Sequence, residues 1–148
     1  MKQIALNALD AAVRRGISYA DVRLIDNEER NVATKNGKIA QISNTVSLGV
    51  GIRVLDGGCW GFAATDDLTS AGVESGAGLA VEIARASAVA RKRDVVLAPE
   101  RKYEVEWTSP VRVDPFSISV DQNLALLFAV DEELRRNPGV TLAETVRL

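Results

Sequence analysis

Histidine is missing from all 148 residues, and cysteine occurs once, as Cys59. Without an imidazole the chain can hold no Ser-His-Asp triad, no Cys-His pair, no histidine-ligated zinc and no histidine general base. One thiol closes no internal disulfide and builds no multi-cysteine metal site, which fits a reducing compartment, so a cytoplasmic location is expected. Aromatic residues are scarce at 5%, and the core must therefore come from Ala, Val, Leu and Ile. No apolar run approaches the ~20 residues of a membrane span. Met1 to Gly16 mixes charged and apolar residues at helical spacing and does not read as a signal peptide. The formal charge of −2, from 18 basic and 20 acidic residues, removes the general electrostatic drive toward nucleic acid. Neither nucleic acid nor membrane is an expected partner.

What remains is an ordinary folded composition, 47% hydrophobic and 26% charged, at a length suited to one domain. Ile4, Ala5, Ala8, Leu9, Ala12 and Val13 recur at helical spacing and predict a helix over 3–15, ended by Gly16. Strands are expected over 19–26, 29–36, 38–46, 46–55 and 59–65, with Asn36-Gly37 as a hairpin turn. Thr69 or Ser70 starts a helix reaching to about Arg91, and Gly72, Gly76, Ala80 and Ala84 form a ridge of small residues along it. A loop-rich stretch with a candidate strand at Tyr103–Trp107 precedes a third helix. That helix starts at Ser119 or Asp121 and is stopped by Asn137-Pro138-Gly139. Val140 to Leu148 alternates like a strand, and the chain ends inside it, as expected of a fragment truncated at its C-terminal end. Hairpin-linked strands followed by separate helices predict an α+β fold, a mainly antiparallel twisted sheet with helices packed against it.

Val46, Leu48, Val50, Ile52 and Val54 share one strand face, and Trp60, Phe62 and Ala64 share another. A three-residue loop between these strands pairs Val54 with Trp60 and Ile52 with Phe62, keeping one apolar face continuous, and is the predicted register. It gathers Gly49, Gly51, Gly61 and Ala63 on the opposite face, with Arg53 beside them. Small residues collected in this way mean that something approaches the backbone closely, either a helix or a peptide or partner strand. These five residues are the candidate peptide-binding positions.

Other motifs carry less. Gly49-Val50-Gly51 lacks the third small residue of a dinucleotide loop, and Gly37-Lys38 lacks the rest of a phosphate loop. Glu28-Glu29, Asp66-Asp67 and Asp131-Glu132-Glu133 are sequence neighbours whose side chains diverge, and Asp66-Asp67 suits the positive end of the following helix. Arg91-Lys92-Arg93 sits where a helix C-terminus favours basic residues. No residue is assigned a catalytic or metal-binding role.

The run Leu48-Gly49-Val50-Gly51-Ile52-Arg53-Val54, followed by Gly57-Gly58-Cys59-Trp60-Gly61-Phe62-Ala63-Ala64-Thr65-Asp66-Asp67-Leu68, resembles the N-terminal domain of the TldD/PmbA (TldD/TldE) family. Tyr19-Ala20-Asp21-Val22-Arg23, the Asn36-Gly37 hairpin and Asp114-Pro115-Phe116-Ser117-Ile118-Ser119 agree in order. Trp60-Gly61-Phe62 is more similar to the TldD side than to its TldE/PmbA sibling. The resemblance implies a cytoplasmic zinc metallopeptidase for unfolded peptides, working with a TldE/PmbA-like partner subunit or as a homodimer. Its metal site is a His-Glu-xxx-His helix with a further cysteine, in a C-terminal part that these residues do not contain. Residues 1–148 are then the non-catalytic N-terminal domain, without cofactor and inactive alone, while zinc belongs to the full-length parent. An older family label, modulator of DNA gyrase, implies a nucleic-acid connection that the charge balance does not support. A stand-alone peptide- or protein-binding module and a noncatalytic TldE/PmbA-like subunit are the alternatives.

Overall fold

The computed structural model describes residues 1–147. The elements run α1 (Lys2–Val13), β1 (Tyr19–Lys35), β2 (Lys38–Asp56), β3 (Cys59–Thr65), α2 (Ser70–Ser87), α3 (Val120–Arg135) and β4 (Glu144–Arg147). The strands form one sheet in the order β3-β2-β1-β4, and β2–β3 and β1–β4 pair antiparallel. This is the α+β class expected from the sequence. The chain folds as two compact units, Met1–Asn27 with Ser47–Tyr103, and Glu28–Val46 with the residues from Glu104 onward.

In the first unit, Val50, Ile52 and Val54 of β2 are fully buried against Ala8, Ala11 and Ala12 of α1 and Val73, Ala77, Ala80, Val81 and Ala84 of α2. Each such valine or isoleucine contributes ~1.5–3 kcal/mol of transfer free energy. Alanine lines both helices because a core with few aromatics is filled by bringing backbones close together. Thr69 caps α2, its hydroxyl accepting from the Gly72 amide at 3.1 Å. The helix ends at Ser87 and continues as a 3₁₀ turn over Ala88–Ala90, short of the predicted end at Arg91.

In the second unit, Val32 of β1 packs with Leu124 and Leu127 of α3. Ser119 is the N-cap of α3 and forms a capping box with Gln122, which selects it over Asp121. Thr34 and Thr145 join their hydroxyls at 2.7 Å between β1 and β4.

The structure corrects several expectations. β1 is continuous through Asn27-Glu28, and β2 through Val46, so four predicted strands are two long ones. Polar residues there interrupt hydrophobic patterning but not backbone pairing. Tyr103–Trp107 forms no strand, and its Tyr103, Val105 and Trp107 are exposed. The last strand is confined to Glu144–Arg147, and the predicted continuation to Leu148 lies outside the described residues. The β2–β3 register is also different. The loop is the two residues Gly57-Gly58, both at positive φ (55° and 75°), and Val54 pairs with Gly61, Leu55 with Trp60. Two adjacent left-handed residues build the tight hairpin turn whose twist matches the strands, and α2 requires a residue without a side chain opposite Val54.

Candidate functional site

The corrected register separates the five candidate residues. Gly61 and Ala63 lie opposite Val54 and Ile52, on the face that α2 covers. A Cβ on Gly61 would stand 1.9 Å from the Ala80 carbonyl oxygen and 2.6 Å from the Ala84 amide nitrogen. Gly61 is therefore where the α2 backbone lies on the sheet, and it is closed to any peptide. Gly49, Gly51 and Arg53 alternate with the buried Val50, Ile52 and Val54 and so belong to the other face.

That other face carries the polar and aromatic chemistry of the unit. The Arg53 guanidinium donates from Nε to Asp21 Oδ2 at 2.8 Å, and its Nη2 lies 2.7 Å from the same oxygen. Its Cζ stands 4.7 Å from the centroid of the Trp60 ring, and Tyr19 meets Trp60 edge-on at 5.9 Å. The hydrogen bond to Asp21 raises the Arg53 pKa above its ordinary value, against a smaller opposing effect of burial. Arg53 is thus a cation engaged by a carboxylate and an indole face. Phe62 is 58% exposed, with its ring 3.3 Å from where a Cβ on Gly51 would sit. Sequence reasoning missed the Tyr19–Trp60–Arg53–Asp21 cluster because the expected register set Trp60 and Arg53 on opposite faces of the hairpin. The usable signal was Tyr19 and Asp21, two apart on β1 and hence on one face.

The second unit holds a cavity of about 130 Å³ whose lining includes Arg30, Phe116, Asn123 and Arg147. Arg30 donates to the Ile118 carbonyl at 3.0 Å and lies over the Phe116 ring at 5.0 Å. Asn123 is 4% exposed, and its Oδ1 is buried without a hydrogen-bond partner.

Neither place suits a metal. Among the described residues no three His, Cys, Asp or Glu side chains converge as ligands, and Cys59 is a buried free thiol. The zinc implied by the resemblance does not fit the donors of these residues. No helix among the described residues is long and apolar enough to cross a membrane.

Residues 20–88 match the family model described as PmbA/TldA metallopeptidase domain 1. The chain is 23% identical over 109 residues to a protein of Methanocaldococcus jannaschii named as a metalloprotease, covering 74% of this chain and 24% of that one. It is 37% identical over 51 residues to a metalloprotease of Methanothermobacter thermautotrophicus, covering 34% of this chain and 11% of the relative. It thus spans about a quarter or less of the curated relatives it matches. Two solved structures described as candidate modulators of DNA gyrase share the fold. One, from Bacteroides thetaiotaomicron, has a TM-score of 0.70 at 19% identity and covers 98% of this chain and 33% of its own. The other, from Thermotoga maritima, has a TM-score of 0.62 at 16% identity and covers 98% and 34%. The glycine-rich β2–β3 hairpin and the helix laid on Gly61 fall inside the matched segment, and residues 20–88 are thus similar to the first domain of the PmbA/TldD metallopeptidases.

Proposed function

We propose that these residues are the non-catalytic N-terminal domain of a TldD-type zinc metallopeptidase that acts on unfolded peptides in the cytoplasm, together with a TldE/PmbA-like partner subunit or a second copy. The observation that carries this reading is the family match over residues 20–88 in a chain with no histidine and one buried cysteine. Metal ligands and catalytic groups then come from other parts of the complete polypeptide, and this domain shapes the approach of substrate. The uncovered face of β2 and β3 is its contact surface: Gly49 and Gly51 keep the backbone open beside the exposed Phe62 ring, and the Asp21–Arg53–Trp60 cluster holds that face in shape. Gly61 and Ala63 have no part in substrate contact.

The test has two arms. The 148-residue chain, dialysed and analysed by plasma mass spectrometry, should hold no stoichiometric zinc and cleave no peptide; near one zinc per chain would refute the division of labour. In the complete polypeptide, Gly51→Val should weaken peptide turnover through a raised KM, with zinc content and Tm close to the parent. Unchanged turnover would remove this face from the substrate path.

A further inference from the structure

The cavity of the second unit, about 130 Å³, gathers charges of both signs that form no ion pair with one another. Glu28, Glu29 and Arg30 of β1, Asn123 of α3 and Arg147 of β4 line it, beside the Phe116 ring. Val32 packs against α3, and its partner across the ladder is Arg147, so both project to the α3 side of the sheet. Arg30 is held by its bond to the Ile118 carbonyl and by the Phe116 ring, and that bond engages one of its five N–H donors. Glu28 accepts from Asn44 at 3.3 Å. Among the described residues, neither Glu29 nor Arg147 makes a hydrogen bond or ion pair through its side chain. Asn123 is 4% exposed, and its Oδ1 has no partner. An unpaired buried polar atom lowers stability, so one kept at the wall of a cavity calls for a partner from outside the chain.

We propose that this cavity binds a small free α-amino acid, its carboxylate on Arg30 and Arg147 and its ammonium on Asn123 Oδ1 and the carboxylates of Glu28 and Glu29. Both charges of the ligand are needed. A simple anion would meet the two guanidinium groups but would also face two glutamates, and a simple cation would face Arg30 and Arg147. A neutral apolar guest would leave the carboxamide unpaired. A zwitterion with both charges on one carbon gives each lining group a partner, and guanidinium–carboxylate bonds are among the strongest such contacts. Size agrees. An engineered cavity of about 150 Å³ takes up benzene, so the space here suits about six non-hydrogen atoms, as in alanine. The Phe116 ring supplies apolar surface for the side-chain methyl. This inference goes beyond the peptidase reading and does not depend on it.

Nitrogen-15 NMR of the 148-residue chain titrated with L-alanine should show saturable shifts, with a Kd of about 1 mM or tighter. The shifts should centre on the Asn123 side-chain amide and on Arg30, Phe116 and Arg147. Propionate lacks the ammonium of alanine and ethylamine lacks its carboxylate, and each should bind at least about tenfold more weakly. Asn123→Leu should also weaken L-alanine binding at least about tenfold, while unfolding at a higher urea concentration than the parent. Loss of binding in a more stable chain is not loss of the fold. Arg147→Met breaks no side-chain bond among the described residues, and it should lower affinity similarly with an unchanged circular dichroism spectrum. No saturable shift up to about 50 mM L-alanine would overturn the inference, as would shifts confined to other surfaces. Propionate binding as tightly as L-alanine would leave an anion site only, and an unchanged Kd in Asn123→Leu would remove the carboxamide from the site. Either result refutes the amino-acid assignment.

Discussion

The two faces of the β2–β3 hairpin solve opposite packing problems with the same seven paired positions. On the covered face the bulk comes from β2, as Val50, Ile52 and Val54, and β3 answers with Gly61 and Ala63. On the uncovered face Trp60 pairs with Leu55 and Phe62 with Arg53, large against large, while Gly51 stands opposite Ala64. Large stands against small on the covered face alone. A helix can lie close on the covered face because β3 presents Gly61 and Ala63 beneath it. The lesson is that strand register followed the helix backbone and not the pairing of like with like.

The largest test of this comparison is the same substitution made on each face. Gly61→Val should cost about 3 kcal/mol or more, since its side chain would occupy the place of α2 backbone atoms that cannot shift without displacing the helix. Gly51→Val should change stability by about 1 kcal/mol or less, because the nearest atoms belong to the exposed Phe62 ring, which can turn aside. Urea unfolding of both variants, followed by circular dichroism, measures the difference. Equal costs would mean that the two faces are not distinct.

Local chemistry was legible in the sequence, and long-range pairing was not. Helix positions, the Thr69 and Ser119 caps and the Asn36-Gly37 turn all follow from residues a few positions apart, and each stands within a few residues of its expected place. The β2–β3 register depended on α2, whose closest approach at Ala80 and Ala84 lies about twenty residues beyond Gly61. Maximising a continuous apolar face put Trp60 opposite Val54, where Gly61 stands. Of the candidate site, Gly49, Gly51 and Arg53 do share a face, while Gly61 and Ala63 belong to the core. The cation–π contact of Arg53 was hidden for the same reason, since it exists only in the observed register.

A middle-sized test addresses the uncovered face. Arg53→Met keeps much of the aliphatic stem and removes the charge that links Asp21 to Trp60. The Arg53 side chain is 43% exposed, so solvent screening keeps the loss to about 0.5–1 kcal/mol. Loss of the guanidinium should also alter the emission of Trp60, read against the exposed Trp107 in a Trp107→Phe background. An unchanged spectrum would mean that the cluster does not hold the indole. The buried carboxamide in the second unit provides a contrast of opposite sign: Asn123→Leu should raise stability by about 1 kcal/mol, because an unpartnered buried polar atom is replaced by an apolar one.

The most local effect concerns the point from which α2 reaches the covered face. Asp67 accepts from the Thr69 amide at 3.0 Å, while the Thr69 hydroxyl accepts from the Gly72 amide. Interaction with the Thr69 side chain, followed by the bond from its amide, lowers the Asp67 pKa below its ordinary 3.8. A carboxyl whose pKa is lower in the folded chain adds stability that is present above the unfolded value and is lost as pH falls through the folded one. The contribution should therefore be whole above about pH 4 and fade in more acidic solution. Thr69→Ala removes the cap of α2, at about 1 kcal/mol, and also the first cause of the Asp67 shift. Carbon-detected NMR titration should then show the Asp67 carboxyl moving up toward its ordinary value. Urea unfolding should show a helix cost that persists at neutral pH, where Asp67 is ionised in both proteins. If the Asp67 titration were the same in the variant, the Thr69 side chain would not set it, and the amide bond alone would have to hold the start of the helix.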